Sequence, residues 1–137
     1  MGVSPDGGEV WGAVWRQGAG GGMAVVDITQ GQVVARIPGL TQPRRVAFSR
    51  DGSHVFVTDR DHLRVIDRVK RQLIASVFLG DNAGGSGVSC SPDAARCYVA
   101  TSQSGEVVEI DVNDFKVLRR FPAERGADGI AYVNLPR

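Results

Sequence analysis

"FSRDGSHVF", Phe48 to Phe56, decides the fold, because the chain repeats it with variation as "VSPDGGEVW" at Val3 to Trp11 and "CSPDAARCY" at Cys90 to Tyr98. Ser-Pro-Asp-Gly is turn chemistry. Proline presets a φ of about −65°, the aspartate carboxylate can accept a backbone N–H, and glycine takes a backbone shape that other residues resist. Arg50 replaces the proline in the second copy and Ala94 the glycine in the third, which weakens the turn without abolishing it.

Outward from these turns, other residues keep the same beat. Val46, Val88 and Ile130 are spaced by 42 and 42, and Trp11, Phe56 and Tyr98 by 45 and 42. Asp27, Asp67 and Asp111 close the apolar runs "MAVVD", "LRVID" and "VVEID", where each is expected to cap a bend with its side chain. The middle unit reads as four short strands rich in β-branched residues: a (45–49), b (54–59), c (63–67) and d (73–79). The links between them are turn-like, so a four-stranded antiparallel meander follows. No window shows sustained helical spacing, and 18 glycines argue the same way.

Strands such as "HVFVTD" are apolar on both faces, as expected of a sheet packed between two others. Four strands per unit at this period is the signature of a β-propeller blade. The fold expected is therefore all-β, a partial β-propeller of about three four-stranded antiparallel blades with one extra strand a at the C-terminus. Blade 1 (1–38) is expected to lack its strand a, blade 2 covers 39–80, blade 3 covers 81–122, and 123–137 holds strand a of a further blade. Three blades cannot close the usual ring of four to eight. Either two copies combine into six blades or the chain is a piece of a longer propeller, and a start just before a turn favours the second.

Sixteen Lys and Arg against fifteen Asp and Glu give a formal charge of +1, which argues against nucleic acid as a partner. No apolar run approaches the roughly 18 residues of a membrane span. The N-terminus lacks the basic and apolar regions of a signal peptide, so the compartment is open: periplasmic or secreted if a leader lies upstream, otherwise cytoplasmic. Cys90 and Cys97 face each other across a turn, as two packed thiols or, geometrically conceivable, as a cross-strand disulfide.

"VFVTD" at Val55 to Asp59 and "YVAT" at Tyr98 to Thr101 resemble the YVTN repeats of bacterial propellers, a likeness that covers nearly the whole chain. A narrower likeness lies in "TDRDHLRVID" and "GDNAGGSGVSCSPD", which resemble the propeller domain that carries modified haem in periplasmic nitrite reductases and their maturation proteins. Arg60 and Asp61 match an Arg-Asp-Gly in which His62 replaces the glycine, and Asn82, Gly84 and Gly85 match a Gly-Asn stretch loosely. That resemblance implies possible binding of modified haem, with His62 as the axial ligand this chain could offer. A third likeness, to sugar-lactone hydrolases, implies a base or a metal-activated water drawn from Asp81, Asp128 and His62.

Antiparallel topology puts the b-to-c and d-to-a loops on one face and the repeated turns on the other. Strand a is innermost, so residues at its entrance crowd the channel mouth. Arg44, Arg45, Asp81, Asn82, Arg125 and Asp128 meet that description, with Asp59, Arg60, Asp61 and His62 close behind. Such groups can orient a polar or anionic ligand. The glycine runs "GAGGGM" and "GDNAGGSG" precede no helix and read as flexible loops. Trp11 and Trp15 lie on one strand face and are expected to pack between blades, with a ligand-stacking platform as the alternative reading. The leading functional expectation is a non-catalytic binding or scaffold propeller segment, needing no cofactor or metal and serving a polar ligand or a protein partner.

Overall fold

A computed structural model describes residues 1–132. It contains three antiparallel sheets of four strands each, and among the described residues there is no helix, hence none long and apolar enough to cross a membrane. Blade 1 is β1 (Gly2–Val3), β2 (Glu9–Arg16), β3 (Gly20–Asp27) and β4 (Gln32–Leu40). Blade 2 is β5 (Pro43–Phe48), β6 (His54–Asp59), β7 (His62–Asp67) and β8 (Gln72–Phe78). Blade 3 is β9 (Gly85–Cys90), β10 (Arg96–Thr101), β11 (Glu106–Asp111) and β12 (Val117–Pro122). Each is a meander in chain order.

Both ends differ from the sequence expectation. Blade 1 has a two-residue strand a, because Gly2 and Val3 pair with Trp11 and Val10. At the other end, residues 123–132 form no strand. A strand needs a ladder partner, and none is described beside this segment, which instead runs against β9. The bare Cα of Gly87 leaves room there for the Asp128 carbonyl and for Ile130. The remainder of the expected strand, from Val133 onward, lies outside the described residues.

The repeated turn is built alike in all three blades. A buried serine hydroxyl, on Ser4, Ser49 and Ser91, donates to the aspartate two residues on at 2.6, 2.6 and 2.5 Å. The same oxygen accepts the backbone N–H of Glu9, His54 or Arg96 across the turn. These hydroxyls, followed by backbone N–H groups, hold the carboxylates of Asp6 and Asp93 below the usual range and draw Asp51 down to about 2. The fourth turn position is left-handed, with φ of 72° at Gly7, 71° at Gly52 and 60° at Ala94. Asp27 and Asp67 accept the N–H three residues on, and Asp111 that of Asn113, so the three acids cap the c-to-d bends as expected.

The facing apolar surfaces of neighbouring blades are buried against each other. Trp11, Met23, Val25 and Ile37 of blade 1 pack on Val55, Val57 and Ile66 of blade 2. Phe56, Leu63, Val65 and Val77 on the other side of blade 2 pack on Cys97, Val99, Val108 and Ile110 of blade 3. Each such side chain contributes roughly 1.5–3 kcal/mol. Glu9 of blade 1 adds ion pairs to Arg68 at 2.9 Å and Arg71 at 2.6 Å of blade 2. Cys90 and Cys97 form a disulfide, correcting the reading of two thiols. Register decides it: the two are directly paired across β9 and β10, with Cα atoms 4.0 Å apart.

Candidate functional site

The strand-a entrance of blade 2 is built around Asp59. Its side chain is fully buried, and Oδ1 accepts the backbone N–H groups of Thr41 at 3.0 Å and Gln42 at 2.5 Å. Oδ2 accepts from Arg64 Nε at 2.9 Å. Every acceptor direction is thus turned inward, and Asp59, expected among the ligand groups, instead anchors the loop that delivers Gln42, Pro43 and Arg44.

The neighbouring b-to-c turn is a two-residue hairpin link in which Arg60 adopts φ of 55°. Its carbonyl accepts Gly85 N–H at 2.6 Å, which ties the turn to blade 3. A side chain on Gly85 would press on that carbonyl and on Leu79, so the glycine is required by close approach. Asp61 reaches Gly84 N–H at 3.4 Å. Together these contacts fix a cavity of about 100 Å³ between blades 2 and 3, lined by Gln42, Arg44, Arg60, Asp61, Asn82, Gly84, Gly85 and Gln103. A second space of about 440 Å³ shares Gln42, Arg44 and Gln103 and adds Trp15 and Pro43.

Of the expected residues, then, Arg44, Arg60, Asp61 and Asn82 are brought together. Among the described residues neither Arg44 nor Arg60 makes an ion pair. Two free guanidinium groups against one carboxylate leave the lining positive, with amide groups of Gln42, Asn82 and Gln103 able to donate or accept. Arg45 is drawn off to Asp128 at 3.0 Å on the surface. Asp81 and Arg125 are exposed outside both cavities, and His62 packs its ring 5.4 Å from that of Phe78. Asp81, Asp128 and His62 therefore do not converge in either cavity. Among the described residues no group of three or more His, Cys, Asp or Glu is placed to hold a metal ion.

Three lining residues, Gln42, Pro43 and Gln103, escaped the sequence reading. Gln42 and Gln103 are uncharged loop residues whose only signal was their place on the strand-a face. Trp15 was expected between blades, yet it is 48% exposed at the end of β2, whereas Trp11 is wholly buried. The glycine run was expected to be a flexible loop, but Gly20, Gly21 and Gly22 are strand residues of β3.

No family model matches the chain, and no curated protein does. Solved structures do. Hydrazine synthase from Kuenenia stuttgartiensis superposes with a TM-score of 0.82 at 26% identity, over 93% of this chain and 36% of that one. The WD40 repeats of RRP9 match with a TM-score of 0.77 at 18% identity, over 89% and 37%. The periplasmic gluconolactonase PpgL of Pseudomonas aeruginosa matches with a TM-score of 0.73 at 20% identity, over 88% and 40%. The chain thus spans well under half the length of each of these structures, and the likeness establishes it as a segment of a β-propeller.

Proposed function

We propose that this propeller segment is a non-catalytic binding module that takes a small polar anion at its channel mouth. The observation that carries this reading is the convergence of Arg44 and Arg60, neither paired with a carboxylate among the described residues, on one cavity between blades 2 and 3. A planar guanidinium presents paired N–H donors to a carboxylate or phosphate, and such charge-assisted bonds are roughly twice as strong as neutral ones. Asn82 and Gln103 supply neutral partners for the rest of the ligand. The lining offers a single carboxylate, Asp61, and no histidine or cysteine, which suits holding an anion better than acid–base turnover.

The module acts within a larger assembly. Pairing register puts Val3, Val10, Gly12, Ala24 and Val26 on the face of blade 1 turned away from blade 2, and Val3 is 58% exposed. An apolar flank of this kind implies association with other blades or partners.

Titration calorimetry with inorganic phosphate and with citrate tests the reading. Arg44→Gln and Arg60→Gln keep the stems and remove the charges, and each is expected to weaken binding about 10- to 100-fold. Wild-type protein that binds neither probe, or variants that bind as wild type does, would refute it. A Soret band on adding haem would favour the modified-haem reading instead.

A further inference from the structure

Trp11 and Trp15 lie four residues apart on one face of β2, so the pleat alone would bury both. Opposite Trp11 stands Val25, and the ring is sealed between blades with Nε1 donating to Glu9 at 3.0 Å. Opposite Trp15 stands Gly21. A Cβ on Gly21 would collide with Pro43 Cδ of blade 2, so the proline ring fills the space that a side chain would take. The glycine thus lets β5 close up against blade 1 and seats Pro43 and Arg44 in the same cavity as the Trp15 ring.

Nothing in blade architecture asks for an aromatic residue there. The repeat spacing puts Arg60 of blade 2 and Ser102 of blade 3 at the position of Trp15, both polar. A half-exposed indole beside a buried proline and an arginine with no ion pair among the described residues is an apolar wall next to the proposed anion site. The cavity it lines, about 440 Å³, falls in the range of small-molecule sites.

We infer that Trp15, with Pro43, forms a ring-binding subsite, and that the ligand is a ring-bearing anion. Its flat or apolar face lies on the indole, and its phosphate or carboxylate reaches Arg44 and Arg60 through the shared wall of Gln42 and Gln103. This rests on the anion reading above and adds to it the class of ligand.

Phenyl phosphate and inorganic phosphate differ only by the ring, so the ratio of their dissociation constants is the readout. Phenyl phosphate is expected to bind about 10-fold tighter, the scale of one aromatic contact with its buried area. It is also expected to quench tryptophan emission, because Trp15 is the exposed member of the pair. Trp15→Ala should bring the ratio close to one and abolish the quenching, while Trp15→Phe should keep part of the ratio and lose the quenching with the indole. Gly21→Ala, by pushing Pro43 away, should lower the ratio as well, and a thermal melt establishes that each variant is folded. Equal binding of the two probes by the wild type overturns the ring subsite and leaves the anion site standing. Binding of neither overturns both.

Discussion

Removing the Asp59 carboxylate separates anchoring from ligand binding. Asp59→Ala orphans two backbone N–H groups, of Thr41 and Gln42, and leaves Arg64, only 18% exposed at its side chain, without its carboxylate. Thr41 and Gln42 are exposed residues that water can reach, so each lost bond costs about 1 kcal/mol, the low end for an unmade bond. The stranded guanidinium keeps its 3.0 Å bond to Ser76 and costs about 1.5–3 kcal/mol more. The expected total is about 3.5–5 kcal/mol, a large part of the ~5–15 kcal/mol that holds a typical domain. Asp59→Asn keeps an amide oxygen for the two N–H groups and forfeits mainly the ion pair, so about half that loss is expected. Urea denaturation followed by circular dichroism gives both numbers from the shift in midpoint at constant slope. A loss below about 1 kcal/mol in Asp59→Ala, or equal losses in the two variants, would show that Asp59 does not hold the entrance loop in place.

Two further outcomes test the scaffold. Ala94 holds a left-handed φ of 60° where the other two turns carry glycine, so Ala94→Gly is expected to stabilise the protein by roughly 0.5–1 kcal/mol, measured as a raised urea midpoint. Cys90→Ala with Cys97→Ala removes a crosslink closing a short loop, and a loss of about 2–2.5 kcal/mol in the same assay is expected. A matching loss when the wild type is reduced would show that the crosslink, and not the packing of the sulfurs, is responsible.

Most of the architecture was legible because local alternation and turn chemistry agree. His54–Asp59 was read to the residue, and the other strands of blade 2 to within two residues. The ends were less legible. Gly2–Val3 is too short to show a pattern, and the apolar run at 129–133 looks like a strand although no described neighbour pairs with it. Topology alone gathered Arg44, Arg60, Asp61 and Asn82 on one face. It could not show that Asp59 turns inward, because that depends on the preceding loop folding back to present Thr41 and Gln42 N–H groups to it. Nor could it show that a missing Cβ at Gly21 admits Pro43 of another blade, since that contact has no local signature.

In a repeat protein, residues that recur with the period answer to the fold, and the informative positions are those that break it. The serine and aspartate of the turns recur and have structural partners in every blade. At the strand-a entrance the repeat instead places Arg44, Ser86 and Asp128 in equivalent positions. Ser86 is buried and donates to the carbonyls of Ala100 and Ala127, and Asp128 is spent on Arg45, so of the three only Arg44 lines the cavity. The site accordingly lies at the junction of blades 2 and 3, with Trp15 reaching in from blade 1. Its described lining comes from blades 1, 2 and 3, so binding measured on this chain tests those walls directly.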